Sequence, residues 1–227
     1  MWNGKKKAVT FSFDDGVRQD IRLVEILNKY GLKGTFNLNS GLLGLPGCLK
    51  HLNVDHTKIK ASEVKALYEG HEIAVHSLTH PTLVDLDEET IIRQVEEDRK
   101  ALEAICGYPI VGMAYPNGPN DDRVAAIIAN NSPIRYSRTT ESTYSFKVQK
   151  ENLLRYNPTV YYIQPQLDEL VDKFLASESD EDQLLYIWGH SYEMDAGLIT
   201  WEKFEEVCKK LANRDDIFYG TNKEVLL

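Results

Sequence analysis

A chain of 227 residues is long enough to bury a sizeable core in one domain. It has 35 acidic and 26 basic side chains and a net charge of −9, which disfavours nucleic acid and anionic membrane surfaces as partners. Its three cysteines, Cys48, Cys106 and Cys208, have no CxxC spacing, so neither a disulfide framework nor a zinc knuckle is expected.

The first residues, MWNGKKKAVTFSF, run into a strand without an apolar signal region, and no apolar run approaches about 18 residues. A cytoplasmic chain with no membrane insertion is the expectation. Ala8 to Phe13 reads as a strand and Val17 to Tyr30 as a helix with Val17, Ile21, Val24 and Leu27 on its apolar face. A strand from Gly34 to Leu38 follows, then a Gly-rich loop from Ser40 to Lys58, long enough to be a candidate substrate-side loop.

Next come a short helix from Ser62 to Glu69, a strand from Glu72 to Val75, a long helix from Asp87 to Cys106, a strand from Ile110 to Tyr115 and a helix from Asp121 to Asn130. The remainder is less regular. Tyr136 to Arg138 and Thr159 to Ile163 read as strands, Leu167 to Ala176 as a helix and Leu184 to Trp188 as a strand. A helix carrying Trp201, Phe204, Val207, Cys208 and Leu211 follows, and Ile217 to Tyr219 is a final strand. This alternation predicts a parallel sheet in one α/β domain spanning 1–227, with a distorted (β/α) barrel of about seven units and an imperfect seam preferred over a doubly wound sheet.

FSFDDG, HSLTH, AYPNG and WGHSYE each fall where an apolar strand run ends, the edge that holds the active site in parallel α/β folds. Asp14 and Asp15 are adjacent, so on an extended strand end they point to opposite sides, and Asp-Asp-Gly is also ordinary turn chemistry. His76 and His80 are four residues apart on a tight loop, because Pro81 disfavours a regular helix. Two imidazoles and a carboxylate from another strand end form a triad with open coordination positions. His190 is either a fourth ligand or a general acid. His51, His56 and His71 lack such companions and read as non-catalytic, although each can still touch substrate.

In that order, FSFDDG (Phe11 to Gly16), HSLTH (His76 to His80) and IWGH (Ile187 to His190) resemble the polysaccharide deacetylases of the NodB-homology, carbohydrate esterase family 4 group, over Thr10 to about Glu193. The resemblance implies that Asp14 is the catalytic base, that Asp15, His76 and His80 are the metal ligands, and that His190 is the general acid. It implies Zn²⁺, with Co²⁺, Ni²⁺ or Mn²⁺ as alternatives, and an oxyanion contact from the Asn117 N–H. An N-acetylated sugar would be the substrate.

Two departures stand out. The arginine of the third family motif is absent from Ala114 to Gly118, with Arg138 available as a stand-in. The aspartate of the fourth has no match near Arg155 to Thr159, where Glu193 is the substitute partner for His190. Tyr115, Trp188 and Tyr192 are candidates for a sugar platform or for core. The competing readings are hydrolysis of a small non-sugar amide or cyclic imide, and a catalytically silent sugar-binding domain. Nothing in the sequence sets an oligomeric state.

Overall fold

The computed structural model describes residues 2–227. In chain order its elements are β1 (Lys7–Asp14), α1 (Asp20–Lys29), β2 (Gly34–Leu38), β3 (Cys48–Leu49), β4 (Val54–Asp55), α2 (Ala61–Leu67), β5 (Glu72–Val75), α3 (Glu88–Cys106), β6 (Gly112–Ala114), α4 (Asp122–Asn131), β7 (Tyr136–Arg138), β8 (Val160–Tyr161), α5 (Leu167–Ala176), β9 (Gln183–Gly189), α6 (Tyr192–Asp195), α7 (Trp201–Leu211), β10 (Ile217–Tyr219) and α8 (Asn222–Leu226).

Seven parallel strands line up as β7-β6-β5-β2-β1-β9-β8 and curl with their helices into the expected distorted (β/α) barrel. Along one edge of β1, β10 pairs with Lys7–Val9 and β2 takes over from Phe11. At the seam, Tyr156 makes an isolated parallel bridge to Arg138 before the same stretch of chain enters β8. Such single-bridge closure is the imperfect seam.

Every residue of β1 is buried, as expected of a strand covered on both faces. Alternation sorts its side chains. Val9, Phe11 and Phe13 face the helices, where both phenylalanine rings meet Phe204 of α7 edge-on at centroid distances of 6.0 and 5.8 Å. Truncating either ring to alanine would cost roughly 3–5 kcal/mol.

Thr10, Ser12 and Asp14 point the other way, into a polar interior. Thr10 donates to Asn222 Oδ1 (2.9 Å), and Ser12 Oγ accepts from Asn37 (2.9 Å) and Asn222 (3.2 Å). Thus α8 closes the barrel end opposite the site. Its Thr221 and Glu224 form a reciprocal capping box.

Three elements have no counterpart in the sequence reading: the β3–β4 hairpin inside the long loop, α6 and α8. The two hairpin strands and both helices are each under six residues, too short for periodicity to register. The cysteines are free, with Cys106 and Cys208 buried and Cys48 exposed. Among the described residues no helix is long and apolar enough to cross a membrane.

Candidate active site at the end of the sheet

Asp14 is the last residue of β1, in register with Asn37 of β2. Asp15 then leaves the strand at φ 82°, in the left-handed region. This turn brings the two neighbouring carboxylates into one site, where an extended continuation would have sent them to opposite sides. Gly16 completes the turn at φ 60°, and a Cβ there would meet the Leu38 side chain at 2.7 Å.

The Asp14 carboxylate is held from several directions. Asn37 Nδ2 donates to Oδ1 at 2.8 Å and the Arg138 guanidinium grips Oδ2. His76 Nε2 and His190 Nε2 lie 3.9 and 3.8 Å from Oδ2. Burial opposes ionisation, yet Arg138, His76 and His190 outweigh it and keep the carboxyl below its ordinary value. Arg138 is fully buried at the end of β7, with its guanidinium 4.3 Å from the Trp188 ring centroid.

Asp15, His76 and His80 each offer one ligand atom, and these atoms lie within 4.8 Å of one another. His76 follows β5, and its Nδ1 hydrogen-bonds the Ala114 carbonyl at 2.8 Å, leaving Nε2 for the site. Its backbone N–H donates to Asp98 on α3. Positive φ at Ser77 and His80, both 63°, folds HSLTH into the expected tight loop, with His80 N–H donating to Ser77 Oγ. Burial lowers the His76 imidazole to about 4, so the ring is neutral and able to ligate. One carboxylate and two imidazoles suit a divalent ion of the zinc type and leave positions open.

His190, at the end of β9, does not join this cluster. Its Nδ1 faces Glu193 Oε1 at 3.1 Å, and its backbone N–H donates to Oε2 at 3.0 Å. Tyr161 OH also donates to Glu193 Oε1. Burial raises Glu193 to about 8 and lowers the imidazole. Desolvation pushes both partners toward their neutral forms. Near neutral pH the pair therefore holds two protons, as imidazole with carboxylic acid or as imidazolium with carboxylate. Only the latter presents an Nε2–H while Nδ1–H remains bonded to Glu193.

Tyr115 and Trp188 build no platform: both are core residues, 1% and 4% exposed. Tyr115 OH donates to the Leu154 carbonyl, and Trp188 stacks on Tyr161 at 4.2 Å. Tyr192 does face the site, beside His56 and His190. Asn117, at φ 61°, lines the same cavity as Asp15, His80 and Tyr192, and its side chain is tied to Thr82.

Two participants come from the 40–58 loop: Lys58, which the sequence reading does not single out, and His56, which it reads as non-catalytic. Lys58, 6% exposed, donates to the Asp15 carbonyl at 2.8 Å and lies 3.4 Å from Oδ1. His56 Nε2 is 3.3 Å from Oδ2. Burial of Asp15 is outweighed by His56 and Lys58, with His190 and His76 adding to them, and its carboxyl is held well below the usual range. His71 is structural, accepting from Gly34 N–H and hydrogen-bonding Asn28.

Asp14, Asp15, His76, His80, His190 and Arg138 thus gather at one edge of a parallel α/β barrel, the edge at which such barrels carry their active sites. The sequence profile described as polysaccharide deacetylase matches residues 2–136, and the chain belongs to that family. The peptidoglycan-N-acetylglucosamine deacetylase PgdA of Listeria monocytogenes is 27% identical over 122 residues, 52% of this chain and 23% of PgdA. A probable 4-deoxy-4-formamido-L-arabinose-phosphoundecaprenol deformylase, ArnD of Wigglesworthia glossinidia brevipalpis, is 27% identical over 151 residues, 60% of this chain and 50% of ArnD. The chain thus spans half or less of the curated relatives it matches.

Among solved structures, a family 4 carbohydrate esterase from Streptomyces lividans in complex with acetate superimposes with a TM-score of 0.58 at 16% identity, covering 96% of this chain and 93% of that one. A CE4 family pseudoenzyme from Bacillus anthracis gives 0.59 at 19%, covering 98% and 66%. These likenesses show the fold. The profile match ends at Tyr136, so Arg138, His190 and Glu193 stand on geometry alone.

Proposed function

We propose that the chain is a metal-dependent hydrolase that removes an N-acetyl group from a sugar or a closely related conjugate. The observation that carries this reading is the gathering of Asp14 with Arg138, His190 with Glu193, and Asp15 with His76 and His80 at one end of the sheet. A divalent ion held by Asp15, His76 and His80, most simply Zn²⁺, would polarise the acetamide carbonyl and make water a competent nucleophile. Co²⁺, Ni²⁺ and Mn²⁺ suit the same donors.

Asp14, ionised and fixed by Arg138 and Asn37, takes the proton of the attacking water. The Asn117 N–H stabilises charge on the carbonyl oxygen. His190 donates its Nε2 proton to the departing nitrogen, and the products are acetate and an amine. The contacts of Arg138 with Asp14 and of Glu193 with His190 support the reading of these two residues as stand-ins for the motif departures, and so favour turnover over a catalytically silent sugar-binding domain.

Acetate release from N-acetylated mono- and oligosaccharides, N-acyl amino acids and cyclic imides, with and without a chelator, tests the reading. Chelator-sensitive turnover confined to acetamido sugars is the expected result. Turnover of imides alone would assign the chain to small-amide hydrolysis, and no turnover on any compound would overturn the proposal.

A further inference from the structure

A cavity of about 470 Å³ opens beside Asp15 and His80, and its walls are chemically unlike. Part of the lining is the polar site already described. The rest comes from the segment between β2 and α2, which contributes Leu42, Leu45, Pro46 and Leu49. The polar side chains this segment adds are His51, His56 and Lys58, and the last two are engaged with Asp15. Leu45 is 50% exposed, an aliphatic side chain left in water beside the candidate active site.

The wall is preformed. Lys58 N–H donates to the Leu45 carbonyl, His56 N–H to that of Gly47 and Gly44 N–H to that of Ile59, each at 2.9 Å. At its start, Ser40 N–H donates to Asp98 (2.6 Å) and Gly41 N–H to the Leu78 carbonyl (3.0 Å). A Cβ on Gly47 would come within 2.8 Å of the His56 carbonyl, so the two halves of the hairpin meet there at backbone contact.

Aliphatic walls reward the burial of hydrocarbon. They penalise hydroxyl groups, which lose water without gaining a partner. A fully hydroxylated sugar ring is poorly matched to four such side chains, whereas an alkyl chain would cover Leu45 and Leu49. We propose that this cavity is a subsite for an aliphatic substituent on the substrate, so that the chain prefers N-acetylated sugars bearing an alkyl group near the reacting amide over bare sugar chains. The proposal rests on the hydrolase reading only for the position of that amide.

Two series with methyl, butyl and octyl groups test it on the intact protein: alkyl N-acetylglucosaminides for acetate release, and alkyl glucosides, which carry no amide, for calorimetric binding. Affinity and kcat/KM should rise roughly two- to fourfold per added methylene until the wall is covered. Leu45→Asn and Leu49→Asn should each flatten the series and leave turnover of the methyl compound unchanged. A flat series in the presence of acetate release overturns the subsite and leaves the hydrolase reading standing. Binding that climbs with chain length without acetate release supports the subsite and overturns the hydrolase reading. A series that climbs equally in both variants also overturns the subsite.

Discussion

The Arg138 guanidinium grips the Asp14 carboxylate although 124 positions separate the two residues in the chain. Arg138 ends β7 and Asp14 ends β1, and the curl of the sheet across β6, β5 and β2 brings the two ends together. Both groups are buried, so each neutralises a charge that would otherwise be stranded in the interior.

Removing Arg138 should therefore act on Asp14 before anything else. With burial unopposed by the guanidinium, the Asp14 pKa rises, and in Arg138→Met the acidic limb of the kcat/KM profile should move to higher pH. Loss of one partner of a buried pair should also lower stability by about 3–5 kcal/mol. Arg138→Lys keeps the charge without the planar fork and should fall between. A profile whose acidic limb does not move in the methionine variant would remove Arg138 from the account of Asp14.

The adjacent carboxylates should separate cleanly. Asp15→Asn, His76→Ala and His80→Ala should each reduce bound divalent metal, because each deletes one of three converging donors. Asp14→Asn should retain metal and lose turnover by about 10²-fold or more, since an amide cannot accept the water proton. Elemental analysis beside acetate release decides the matter: metal loss in Asp14→Asn with retention in Asp15→Asn would exchange the two roles.

Stability should fall as pH rises through the weakly acidic range. Asp20 is fully buried, hydrogen-bonded by Ser191 and Tyr68, and burial lifts its pKa from 3.8 to about 7. Between those values the folded chain holds a proton that the unfolded chain has released, so each upward step in pH favours unfolding, and the effect ends near pH 7. Asp98, lifted to about 7 by its own burial, acts in the same sense. Asp20→Asn mimics the protonated acid and should make the decline in Tm from pH 5 to 8 shallower. An unchanged slope would show that Asp20 titrates normally.

How much of this was legible in the sequence depends on where each residue sits. Asp14 ends, and Asp15, His76, His80 and His190 follow within five residues, strands that hydrophobic runs mark clearly, and strand ends in a parallel sheet converge by topology. Lys58 and His56 reach Asp15 only because the β3–β4 hairpin doubles the loop back on itself, and two-residue strands leave no periodic trace. Asp20 reads as an ordinary acid in the first turn of a helix, since its burial against Tyr68 and Ser191 follows from packing alone. Trp188 and Tyr115 look like ligand platforms in sequence because aromatics serve both platforms and cores. In the fold they line the interior behind the site.

The pairing of His190 with Glu193 carries the sharpest prediction about the leaving group. A general acid matters most when the departing atom is a poor leaving group, so His190→Ala should cost about 10²-fold or more on an acetamide and far less on an activated aryl acetate, whose phenolate leaves unprotonated. The working proton belongs to the pair: with Glu193 lifted to about 8 and the imidazole lowered, imidazolium with carboxylate shares its proton count with imidazole and carboxylic acid. That count drops as pH rises through about 8, which places the basic limb of the kcat/KM profile there. Glu193→Gln deletes the carboxylate that stabilises the imidazolium, so the acid form should be lost at lower pH and the basic limb should shift downward. Tyr161→Phe, which removes one donor to Glu193 Oε1, should make that carboxylate more basic and move the limb slightly upward. Equal losses on acetamide and aryl acetate in His190→Ala would assign the residue to binding or folding. A basic limb that stays in place in Glu193→Gln would separate Glu193 from proton donation and leave it as a backbone anchor for His190.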